Sequence, residues 1–114
     1  MKDLPTANDI KEAITDCNTW YRRFFRCWID GSYLGYDHYQ DNCARVRRDY
    51  KSDRALRALA ITAFCEFVAH EEGCSPSTVQ RHLVREVSID DLEALNVELI
   101  DDLRDLVRDE MEAA

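Results

Sequence analysis

Apolar side chains recur at every third or fourth position along almost the whole chain, and no stretch shows the period of two expected of a half-buried strand. That pattern predicts an all-α fold. Ile10, Ala13, Ile14, Cys17, Tyr21, Phe24 and Trp28 form one row, the stripe of a first amphipathic helix. Thr6 or Asn8 would cap its start, and Gly31-Ser32 would end it. Tyr39, Cys43, Val46 and Tyr50 place a second helix over about residues 36–50, with Arg47, Arg48 and Lys51 on its outer side. After a cap at Ser52 or Asp53, the row Leu56, Leu59, Ala60, Ala63, Phe64, Phe67 and Val68 carries a third helix toward Glu72. Periodicity leaves open whether that helix is straight or broken near Thr62. Gly73 interrupts it. Ser75-Pro76 starts a fourth helix running to about Val87, and Ser88 caps a fifth with the stripe Leu92, Leu95, Leu99, Leu103, Leu106 and Val107.

A chain of 114 residues can bury roughly two-thirds of its unfolded surface around one core. The expectation is therefore a compact bundle of about five helices in one domain over residues 1–114. Apolar residues make up 46% of the chain and charged ones 33%, a balance that favours a globule over disorder. No apolar run approaches the roughly 18 residues needed to span a bilayer, and the opening Met1-Lys2-Asp3-Leu4-Pro5 lacks the layout of a signal peptide. A cytoplasmic location and no membrane partner are expected. The five cysteines are odd in number, scattered and never spaced C-x-x-C, which favours reduced thiols acting as small core side chains.

The net charge of −8 is unevenly distributed: residues 1–40 carry −1, residues 41–87 carry +1, and residues 88–114 carry −8. Within 45–57, Arg45, Arg47, Arg48, Lys51, Arg54 and Arg57 face only Asp49 and Asp53, so this stretch is +4. The acid excess belongs to the last helix, over about residues 89–112.

The run Phe67-Val68-Ala69-His70-Glu71-Glu72-Gly73-Cys74-Ser75-Pro76-Ser77-Thr78-Val79-Gln80-Arg81-His82-Leu83 resembles the helix-turn-helix of bacterial and phage transcriptional regulators. The hairpin would occupy about residues 63–87. Ala69 is small where two helices cross, Gly73 permits a positive φ in the turn, Cys74 tucks the turn inward, and Val79 and Leu83 anchor the second helix. Glu72 and His82 stand where such motifs usually carry apolar residues. The resemblance implies a recognition helix lying in the major groove of duplex DNA. Ser75, Ser77 and Thr78 would meet phosphate, Gln80 and Arg81 base edges, and Arg85 the backbone. Arg47, Arg48, Lys51 and Arg54 would add phosphate contacts if their helix adjoins the same face. The same residues also suit a plain α-hairpin with no nucleic-acid partner.

A second function class stays open: a small acidic inhibitor or interaction protein, similar in size and charge to those phages direct at host machinery. Its carboxylates Asp101, Asp102, Asp105 and Asp109 would imitate a phosphate row for a basic nucleic-acid-binding host protein. Trp20 and Phe25, from the aromatic band Trp20, Tyr21, Phe24, Phe25 and Trp28, could also serve a partner surface, although core packing is the simpler role for that band. The leucine row of the last helix could pair two copies as a homodimer on half-sites. His38 with Cys43, and Cys65 with His70, lack the second pair of a zinc site. No nucleophile or glycine-rich phosphate loop accompanies Asp37, His38, Glu66 or His70. Neither a metal nor a cofactor is expected, and no enzymatic activity.

Overall fold

A computed structural model describes residues 4–14, 24 and 35–113. Among them are five α-helices and no strand: α1 (Ala7–Ile14), α2 (Gly35–Asp49), α3 (Asp53–Glu72), α4 (Pro76–Glu86) and α5 (Ile89–Ala113). The architecture is the all-α bundle that the periodicity implies.

The helix starts follow from short polar side chains. Thr6 and Asp9 cap α1 reciprocally: the Asp9 N–H donates to Thr6 Oγ1 at 3.1 Å and the Thr6 N–H to Asp9 Oδ2 at 2.8 Å. Thr6 is thus the cap. Asn8 lies inside α1, where its amide donates to Glu12 Oε1. Ser52 Oγ accepts from the Ala55 N–H at the head of α3, and Ser88 Oγ from the Asp91 N–H at the head of α5.

One buried cluster draws on all five helices: Ile10 from α1, Cys43 and Val46 from α2, Val79 and Leu83 from α4, Leu95, Leu99 and Leu103 from α5, and the longest contribution from α3. Between Leu59 and Ala69 the buried residues of α3 occupy most sides of the helix, the mark of an element surrounded by others. It runs unbroken through Thr62. Phe24 is fully buried against it, its ring 5.6 Å from Phe64 and 5.8 Å, edge-on, from Phe67. The other members of the N-terminal aromatic band, Trp20, Tyr21, Phe25 and Trp28, lie outside the described residues, as do Cys17, Cys27, Gly31 and Ser32.

The leucine row of α5 is used within the chain. Leu95, Leu99, Leu103 and Val107 are buried in the core, and Leu92 and Leu106 pack against it. The row thus serves mainly this chain's own core, with Leu92 and Leu106 keeping part of their surface exposed.

Three guanidiniums clasp α5 to the corner between α2 and α3. Arg47 donates to Glu110 at 2.9 Å, Arg57 donates to Glu93 at 2.5 Å, and Arg104 donates to Asp53 and to the Tyr50 carbonyl. Arg104 also sits 5.9 Å from the centre of the Tyr50 ring. The hydrogen bond from Arg104 holds the Asp53 carboxyl below its ordinary pKa, with the positive charge as the next cause. No helix among the described residues is long and apolar enough to cross a membrane.

Candidate nucleic-acid interface

The hairpin from α3 to α4 is fixed by local chemistry. Gly73 has φ 67° and ψ 39°, a left-handed conformation that costs a residue bearing a Cβ roughly 1–2 kcal/mol. Its N–H and that of Cys74 both donate to the Ala69 carbonyl, closing the end of α3. Ser75 is extended, accepts from the Thr78 N–H at 3.3 Å, and is followed by Pro76 in the first turn of α4. Ala69 is buried, and Cys74 is half-buried against the core.

Val79 and Leu83 bury the inner face of α4. Its outer face then presents Ser77, Gln80, Arg81, Val84 and Arg85, which line an open depression of about 360 Å³. Gln80 and Arg81, the expected base readers, are both exposed. Arg85 is exposed too and donates to the neighbouring Glu86 at 3.1 Å. Where α4 meets α3, a smaller cavity of about 110 Å³ is bounded by Ile61, Thr62, Cys65, Pro76, Ser77 and Gln80.

The three hydroxyls at the start of α4 form a cluster rather than three independent groups. Ser75 Oγ lies 3.1 Å from Ser77 Oγ and 2.9 Å from Thr78 Oγ1. A hydroxyl has one proton to donate, so an incoming phosphate would have to reorient this cluster. Of the two departures from the motif, His82 has a specific contact. His82 is half-buried with Nε2 2.7 Å from the Pro5 carbonyl oxygen, so an imidazole tethers the N-terminal segment where an apolar residue would only pack. Glu72 is half-buried in the last turn of α3.

The basic stretch is placed differently from the expectation. α2 packs on α3 and α5 and makes no substantial contact with α4. Lys51 and Arg54 sit at the opposite end of α3, about 30 Å along its axis from the turn. Arg47 does not stand free on an outer face: it is only 34% exposed and engaged by Glu110. Arg48 pairs with Asp49, and Arg45 with Glu66. The hydrogen bond to Arg48 and its charge lower the pKa of the Asp49 carboxyl. Lys51 and Arg54 are exposed. The +4 of the sequence is thus largely answered by carboxylates from distant positions.

On α5, Asp101, Asp105 and Asp109 are exposed on one side of the helix, Asp105 pairing with Arg108 at 3.0 Å, while Asp102 is half-buried. Trp20 and Phe25 lie outside the described residues. Burial raises the pKa of both core thiols, Cys43 and Cys65, the latter to about 11. Val84 is the member of the α4 face that periodicity did not single out; its place one turn after Gln80 and Arg81 was the available signal.

Comparison of the chain with protein-family models, with curated proteins and with solved structures found no match.

Proposed function

We propose that the protein is a small, non-enzymatic regulator of transcription that acts in the cytoplasm by docking α4 in the major groove of duplex DNA. Gln80 and Arg81 read base edges, with donor patterns suited to adenine and guanine respectively. Ser75, Ser77, Thr78 and Arg85 position the backbone. One observation carries the reading: Gln80 and Arg81 are exposed on the outer face of α4 while Val79 and Leu83 lock its inner face into the core.

The test is a titration of randomised 20-base-pair duplexes at several salt concentrations. Log K should fall linearly with log salt, with a slope of about −0.9 for each phosphate that a cation of this face neutralises. Arg81→Ala should relax sequence preference at the guanine it reads and weaken binding by about tenfold. Absence of binding at low salt rules the reading out.

A second reading is supported by the exposed carboxylates of α5. Asp101, Asp105 and Asp109 succeed one another at single-turn intervals on one side, and such a row can occupy the groove of a basic nucleic-acid-binding host protein. If that reading holds, Asp101→Lys with Asp105→Lys abolishes co-purification with such a protein and leaves any DNA affinity intact.

A further inference from the structure

Among the described residues, three large apolar side chains stand out in solvent: Val84, Ile89 and Val97, of which Val84 is 67% exposed. A solitary exposed valine is ordinary on a protein surface. Val84 differs in its company. Gln80 and Arg81 precede it by one turn, Arg85 follows it, and all three share with it and Ser77 the depression over α4. Because a helix turns by about 100° per residue, Val84 faces outward between Gln80 and Arg81, away from buried Val79 and Leu83. Valine is also a poorer helix former than alanine, arginine or glutamine, so neither helix propensity nor core packing accounts for it there.

We infer that Val84 is a specificity-determining residue whose methyl groups meet the 5-methyl group of a thymine, beside the base pairs contacted by Gln80 and Arg81. The inference rests on the DNA-binding reading and deepens it. In the major groove the thymine methyl is the apolar feature of the base edges, and it distinguishes A·T from G·C as well as A·T from T·A. A flexible polar side chain at position 84 would meet that methyl without gain, whereas a stiff β-branched one offers it a fixed apolar surface. The charge of the face suits this occupant. Arg81 and Arg85 are cationic against one carboxylate in the sequence of α4, Glu86, which pairs with Arg85, so the face keeps a net positive charge at Arg81.

The experiment uses the whole chain and duplexes enriched from a randomised 20-base-pair pool by repeated binding. Each enriched duplex is remade with deoxyuridine replacing one thymidine at a time, which deletes only the 5-methyl group. One position should then lose about fourfold in affinity, the worth of one buried methyl-sized group. In Val84→Ala the affinity for the thymidine duplex should drop by a similar factor, and the difference between thymidine and deoxyuridine should vanish. Val84→Ala should fold at least as well as the natural chain, because the site is exposed and alanine favours the helix; its thermal melt checks this. Enrichment without any uracil-sensitive position, or sensitivity that survives in Val84→Ala, overturns the inference and leaves the DNA-binding reading standing. Failure to enrich any duplex, with no binding at low salt, overturns both.

Discussion

His82 and Pro5 are joined across 77 positions of sequence: the imidazole Nε2 of the candidate recognition helix lies 2.7 Å from the carbonyl oxygen just before α1. A carbonyl can only accept, so Nε2 carries the proton. The bond ties α4 to the segment leading into a helix that itself packs on α5. His82→Ala should lower stability by about 1 kcal/mol, the usual net worth of such a bond, read from the midpoint of urea unfolding. Amide exchange at Asp9 and Ile10 should accelerate. Unchanged exchange there would show that the tether does not hold α1.

Gly73 supplies the second expectation. Since its φ is 67°, Gly73→Ala should destabilise the protein by roughly 1–2 kcal/mol, while Gly73→Asn should cost less because asparagine tolerates the left-handed region. Thermal denaturation of the two variants gives the order. Equal losses would mean that the turn relaxes away from this conformation.

The Arg104–Asp53 contact gives a dependence on pH. Asp53 has its pKa lowered in the folded chain, so the native state holds its carboxylate more strongly than the unfolded state does. Its contribution is full above the ordinary aspartate value and is lost as pH falls through the lowered, folded-state value. Asp53→Asn should flatten the acid limb of the stability curve and leave its neutral-to-alkaline shape unchanged. Asp49, lowered by Arg48, contributes in the same direction, so the flattening should be partial. An acid limb identical in Asp53→Asn would count against the contact.

Thiol labelling tests the packing of the turn. Cys65 is buried with its pKa raised to about 11 by desolvation, and Cys43 is buried with a raised pKa, whereas Cys74 is half-buried beside Gly73. Because the thiolate is the reacting form, iodoacetamide at pH 8 should modify Cys74 well before Cys65 and Cys43, and urea should erase the difference. Peptide mass mapping resolves the sites. Early modification of Cys65 in the folded protein would contradict the burial of α3.

The parts of the hairpin that were legible beforehand are those decided within a few residues. The hydroxyl of Ser75, the ring of Pro76 and the missing side chain of Gly73 act on backbone groups no more than four or five positions away, so their consequences follow from order alone. The same holds for Thr6, Ser52 and Ser88. The functional face was legible only in part. Arg81 could be placed opposite Val79 and Leu83, and Gln80 on the flank beside them, by counting turns, but the apolar side chain between them gave no sign of whether it would be covered.

By itself, then, the sequence determined where the helices after Thr6, Ser52, Ser75 and Ser88 begin, where α3 ends at Gly73, and which rows of α3, α4 and α5 are turned inward, because capping bonds and helical period act locally. The tertiary structure alone decided the rest. It turned the leucines of α5 into this chain's own core, engaged Arg47 with Glu110 and Arg57 with Glu93 across 63 and 36 positions, and left Val84 exposed beside Gln80 and Arg81. Burial and ion pairing depend on which faces of distant helices come together, and helices with stripes of similar quality do not specify that arrangement until they pack.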